Sequence, residues 1–231
     1  MKKIVLILMF LCFQGLSFAS TSELISNEEL AKMQKRVDEV GFNLLNSNGI
    51  EKRTVFNINI KRIKNAVSYY NNREIVLYRD LYNRLSSDDE LAFILGHEIG
   101  HSVDSYDGVM RGFFTFFHSY WLFGARKYEY LADKRAVDYM VQAGYNPVAS
   151  IVVMSKCFGQ TRYEWYSTHP LATRRMMAVY EYIYKKYPEY LVNNTYKNNL
   201  YYQNFLLTSK ENRAKFQSKV QSKSASSPKY L

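Results

Sequence analysis

The stretch from Ser87 to His101 constrains this chain more than any other. Ser87-Asp88-Asp89-Glu90 has the form of a helix start, a serine followed three residues later by a glutamate, so that each side chain can satisfy a backbone N–H of the first turn. A helix from there through His101 puts His97 and His101 on one face, one turn apart, with Cβ atoms roughly 5–6 Å from each other. Two imidazole nitrogens so spaced can reach one zinc ion at about 2.0–2.1 Å. Glu98 lies one step round the helix from His97. It is therefore placed beside such a metal rather than on it, where it can take a proton from zinc-activated water. Zinc is the expected cofactor, one ion.

A zinc site of this kind needs a third protein ligand and one open position. Glu129 is the best candidate. It opens Glu129-Tyr130-Leu131-Ala132-Asp133 on a helix expected from about Arg126 to Ala143. Glu129 and Asp133 are again four apart and face the same way. One can bind metal while the other holds a ligand histidine through its second ring nitrogen. Without the histidine pair, two such acids on a helix would simply face solvent.

The rest of the chain reads as α+β, helices dominating, with one small antiparallel or mixed sheet before the motif helix. Ser26-Asn27-Glu28-Glu29 starts a helix whose apolar positions Leu30, Met33, Val37, Val40 and Leu44 recur at steps of three and four, and Asn48-Gly49 ends it. Strands are expected over Thr54 to Ile60, Ala66 to Tyr70 and Glu74 to Tyr78, with Asn71-Asn72 as turn residues between the last two. A short helix follows around Leu81 to Leu85. Gly108 is expected to interrupt the motif helix. Gly144 caps the next helix, Asn146-Pro147 restarts one, and His169-Pro170 opens another that runs to Lys186.

The four features Asp89-Glu90-Leu91-Ala92 leading into His97-Glu98-Ile99-Gly100-His101, Glu129 to Asp133, Gly144-Tyr145-Asn146-Pro147, and Ser167-Thr168-His169-Pro170 with Arg175 five residues on, occur in one order. Together they resemble the HtpX-like and CAAX-prenyl-protease-like zinc peptidases, metallopeptidase family forty-eight, of the gluzincin type. The resemblance covers about residues 26 to 186. Asn65-Ala66 and the strand Ile75 to Leu77 are similar to the family's edge-strand region. The resemblance implies a zincin-like domain and zinc-dependent endopeptidase activity, with His97, His101 and Glu129 as ligands and Glu98 as base. The chain departs from the integral-membrane members in lacking their transmembrane helices.

Three further residues are read beside that core set. His169 precedes a proline, which biases its backbone away from helix and leaves its ring free to turn into a cleft. It is the candidate oxyanion donor, with a fourth zinc ligand or a plain helix-capping role as alternatives. Arg175 is expected to pair with a carboxylate near the site, Glu129 or Asp133, or else to be a surface charge. His118, inside the aromatic stretch from Val109 to Phe123, is not read as a ligand. That stretch is expected to be core, with a lid or a lipid-touching segment as the other reading.

The ends carry their own signals. Lys2 and Lys3, the apolar run Ile4 to Phe13, and Ser17-Phe18-Ala19 have the form of a signal peptide over residues 1–19, cut after Ala19. The expected destination is periplasmic or extracellular, with membrane association as a further expectation. Cleavage would leave Cys157 as the only cysteine; its apolar setting suggests an inert thiol. The formal charge is +10, of which +5 falls after Pro188, where seven Lys or Arg face two Asp or Glu. Such charge favours acidic partners or anionic lipid. No helix-turn-helix, zinc-finger or aromatic–basic motif points to nucleic acid.

The organisation expected is thus a 1–19 leader, a metallopeptidase domain over 20–187, and a basic extension over 188–231 that loses periodicity and is partly disordered. Expected partners are polypeptide substrates, misfolded envelope proteins among them, with a peripheral membrane contact. The alternative function is an envelope assembly or chaperone-like factor that uses the same fold as a scaffold.

Overall fold

The computed structural model describes residues 25–51, 53–69, 73–110, 122–158 and 172–222. The chain runs α1 (Asn27–Ser47), β1 (Val55–Asn59), β2 (Ala66–Tyr69), β3 (Glu74–Tyr78), α2 (Arg79–Tyr82), α3 (Asp88–Met110), α4 (Leu122–Gln142), α5 (Ala149–Cys157), α6 (Ala172–Lys186), α7 (Glu189–Val192), α8 (Leu200–Thr208) and α9 (Lys210–Gln221). This is the α+β arrangement expected, mostly helical with one small sheet.

The sheet has the order β1-β3-β2, with β1 parallel and β2 antiparallel to β3. Ile75, Val76 and Leu77 of β3 are buried in succession, as a strand covered on both faces requires. Phe56 alone is fully buried on β1, and its ring lies under α1. A Cβ on Gly41 would come within 2.6 Å of that ring, so glycine is what lets α1 sit down on β1. Of the two segments similar to an edge-strand region, the one that includes Ala66 lies on an outer strand and Ile75 to Leu77 does not. Glu74–Tyr78 is the middle strand, paired on both sides, and β1 and β2 are the outer strands.

The helix starts behave as their sequences dictate. Ser26 Oγ accepts the Glu29 N–H at 3.1 Å, and Ser87 Oγ accepts the Glu90 N–H at 3.2 Å. The Glu90 carboxylate reaches back one residue further than a reciprocal capping box would place it, accepting the Ser86 N–H at 2.8 Å. It is also fixed by Lys156 of α5, whose Nζ lies 2.7 Å away. Gly108 does not interrupt α3, which continues to Met110. Gly144, at φ +82°, ends the α4 region as expected. The turn at Asn71-Asn72, the aromatic residues 111–121 with His118, the leader 1–19 and the tail 223–231 lie outside the described residues.

Pro188 is not the boundary the sequence suggested. Helices α8 and α9 continue the fold, and Tyr202, Phe205 and Phe216 are buried in the same core as α5 and α6. The periodicity was hard to read because each helix buries only two side chains: Tyr202 and Phe205 on α8, Asn212 and Phe216 on α9. The segment also grips the start of the motif helix. Tyr196 Oη donates to Asp89 Oδ2 at 2.7 Å, and the other Asp89 oxygen accepts the Asn146 N–H at 2.9 Å. Gln217–Gln221, expected to be disordered, is the end of α9.

Truncation of Phe205 therefore tests whether this segment is part of one cooperative unit. Phe205→Ala is expected to cost about 3–5 kcal/mol, as for other large-to-small core changes. In urea titration the loss should appear as a lower midpoint of a single transition, not as a separate early phase.

Candidate metal centre

The site is built where α3 and α4 approach unusually closely. Gly96 and Gly100 on α3 face Ala136 and Ala132 on α4, and a Cβ on either glycine would stand 3.3 Å from the Cα opposite. Small residues four apart on both helices let the two backbones draw together. His97 and His101, each next to one of the glycines, and Glu129 and Asp133 on the other helix are then carried to one place.

The two ring nitrogens and the Glu129 carboxylate lie at separations near those that a tetrahedral ion needs. His97 Nε2 and His101 Nε2 are 3.0 Å apart, His101 Nε2 and Glu129 Oε1 3.3 Å, and His97 Nε2 and Glu129 Oε2 3.6 Å. Ligands bound to one zinc at about 2.0–2.1 Å stand about 3.3 Å from each other. His97 and Glu129 are buried and His101 is partly open. The group is the only set of three potential ligands of this kind among the described residues.

The surroundings fit a cation for three reasons. His97 Nδ1 stands 2.9 Å from Asp133 Oδ1, although the ring N–H axis does not point squarely at that oxygen. A carboxylate there holds the proton on Nδ1 and leaves Nε2 with its lone pair facing the site. Two such lone pairs 3.0 Å apart repel unless a proton or a metal stands between them. Finally, among the described residues Glu129 and Asp133 bring two carboxylates against the guanidinium of Arg175, which leaves a deficit of positive charge there. His101 responds to that deficit: burial opposes its protonation, but the surrounding carboxylates, Glu129 foremost with Glu98 and Asp133, together outweigh burial and its pKa is raised. A divalent ion held by His97, His101 and Glu129 would offset that charge.

Arg175 holds the two carboxylates in place. Its Nε and Nη2 donate to Asp133 Oδ2 and Oδ1 at 2.8 and 2.6 Å, a bidentate pair. Its Nη1 lies 3.0 Å from Glu129 Oε2. Burial would push the Asp133 carboxyl up, but Arg175 reverses the direction and holds it below the usual range. The Phe158 ring covers the guanidinium, with 5.0 Å from Cζ to the ring centre. The sequence left Arg175 between Glu129, Asp133 and the surface; it pairs with both acids. Phe158 was not anticipated, and no spacing rule would have found it. The glycine and alanine pairs could have been found, because their four-residue spacing matches that of the ligands beside them.

Glu98 is half-buried on α3, and its charge contributes to the raised pKa of His101. His169 lies outside the described residues, so its part in the site stays an expectation. Cys157 is half-buried, and burial pushes its thiol pKa up, in keeping with an inert thiol.

Two changes separate the roles described. Asp133→Asn is expected to lower zinc affinity by about 10–100-fold, the usual cost of removing a partner behind a ligand histidine, as read by competition with a chelator. Gly100→Val, a larger intrusion between the helices, should abolish stoichiometric zinc binding although it touches no ligand. Metal analysis of the purified variant, with circular dichroism to show that the helices persist, checks this.

Comparison with curated proteins gives no significant match. The family model described as Peptidase family M48 matches residues 31–125 and 107–183, well over half of the chain and every described residue of the site. With its zinc-ligand set on facing helices and this match across the domain, the chain belongs to Peptidase family M48, the zinc metallopeptidases.

Proposed function

We propose that this chain is a zinc metalloendopeptidase that hydrolyses polypeptides outside the cytoplasm, with Glu98 as the general base. The observation that carries the reading is the triangle of His97, His101 and Glu129, with Glu98 next to the first ligand on the same helix. Zinc held there would supply a Lewis acid that polarises the scissile carbonyl and acidifies water. Asp133 keeps the His97 ring in the tautomer that presents Nε2. Arg175 offsets the charge of Glu129 and Asp133 and holds both carboxylates. Glu98 takes the proton from the attacking water and returns it to the leaving amine.

His169 is proposed as the donor to the oxyanion, or as a fourth ligand that closes the site. The support for this is the His169-Pro170 sequence alone.

An extended substrate would pair with β2, the strand at the sheet edge beside α3. Export rests on the sequence of residues 1–19. No helix among the described residues is long and apolar enough to cross a membrane. Unfolded envelope proteins are the proposed substrates, and the basic tail is the proposed point of contact with anionic lipid.

Zinc content and casein hydrolysis of the mature protein, measured with and without a chelator, test this against Glu98→Gln. The expected result is one zinc per chain in both proteins, with hydrolysis lowered by about 100- to 10,000-fold in the variant, the range for loss of a general base. Cleavage by the variant at the wild-type rate would overturn the assignment of Glu98. Intact cellular function of an inactive variant would favour a scaffold role instead.

A further inference from the structure

The sheet has two outer strands, β1 and β2, and they are not equally open. On β1 the residues alternate in direction. Val55, whose N–H donates to Arg73 O at 2.9 Å, faces β3, so Phe56 and Ile58 present their backbone groups to the outside. Those groups meet the side chain of Gln34 on α1. Gln34 Nε2 donates to Phe56 O at 2.6 Å, and the Ile58 N–H donates to Gln34 Oε1 at 2.9 Å. One residue of a parallel neighbouring strand would make this same pair of bonds, N–H to one carbonyl and C=O to the N–H two residues on. The Gln34 amide is itself held, since Nε2 also donates to Asp38 Oδ1 at 2.9 Å.

On β2 the outcome differs. Tyr78 N–H donates to Asn65 O at 3.1 Å, which puts Asn65, Val67 and Tyr69 toward β3 and turns Ala66 and Ser68 outward. Among the described residues, no hydrogen bond reaches the outer side of Ala66 or Ser68.

We propose that Gln34 is a surrogate strand residue that closes the β1 edge, so that a second polypeptide in extended form can add to this sheet only at β2. Without Gln34, β1 would offer paired donors and acceptors beside the exposed side chain of Val55, an arrangement that invites edge-to-edge pairing with a second copy of this chain. The position of Gln34 makes this a matter of specificity and not of stability alone. It leaves one productive edge, the one adjoining the motif helix. The closure of β1 does not depend on the peptidase reading; only the use made of β2 rests on it.

Hydrogen exchange and sedimentation test the proposal without any assay of hydrolysis. In the wild-type protein the Ile58 amide, though on an outer strand, should exchange at least about 10-fold more slowly than the outward Ser68 amide. Equal exchange of the two would overturn the proposal, and this measurement needs no variant. In Gln34→Met, which keeps side-chain length but has no amide, Ile58 should exchange at least about 10-fold faster than in the wild type. The variant should also self-associate at least about 10-fold more tightly in sedimentation velocity. Unchanged Ile58 protection in the variant would show that Gln34 does not close the edge. Lost protection without tighter self-association would show that the closure does not exclude a second chain.

Discussion

The close contact of α3 with α4 is the constraint on which the site depends. Two glycines against two alanines set the distance between the helix backbones, and everything chemical follows from that distance. His97 and His101 project from one side of the contact and Glu129 and Asp133 from the other, so the two histidine nitrogens stand 3.0 Å apart and each lies 3.3 to 3.6 Å from an oxygen of the Glu129 carboxylate. A wider contact would leave the same residues on the same helices with no common centre. The histidines of the motif thus come close to α4 because the residue before each is glycine.

Local rules made much of this legible. The capping serines, the period of the apolar residues and the His-Glu-x-x-His spacing are all determined within a few residues, and they located α1, α3 and the ligands. The acidic pair on α4 was legible for the same reason. What sequence could not supply was anything decided by partners distant in the chain. Which strand would be central depended on the pairing of β3 with both neighbours. The targets of Arg175 depended on how α6 lies across α4. The helices after Pro188 were missed because each needs only two buried residues, too few to set up a readable period.

The start of the motif helix is anchored from three directions. Lys156 from α5 reaches Glu90, the backbone of Asn146 reaches one oxygen of Asp89, and Tyr196 reaches the other. These contacts lie two turns before His97. They fix the axis of the helix, while the contact with α4 fixes its depth. A segment beyond the region matched by the family model is thus built into the support of the family's own motif.

Arg175 lies more than forty residues after the second acid of the pair it holds. A chain made from its N-terminus presents Glu129 and Asp133 first, as two neighbouring carboxylates whose burial is opposed by mutual repulsion until a guanidinium arrives. The centre is complete only once α6 has been made, because Arg175 is the cation that both acids share. A chain cut before α6 would carry both acids without the guanidinium that joins them.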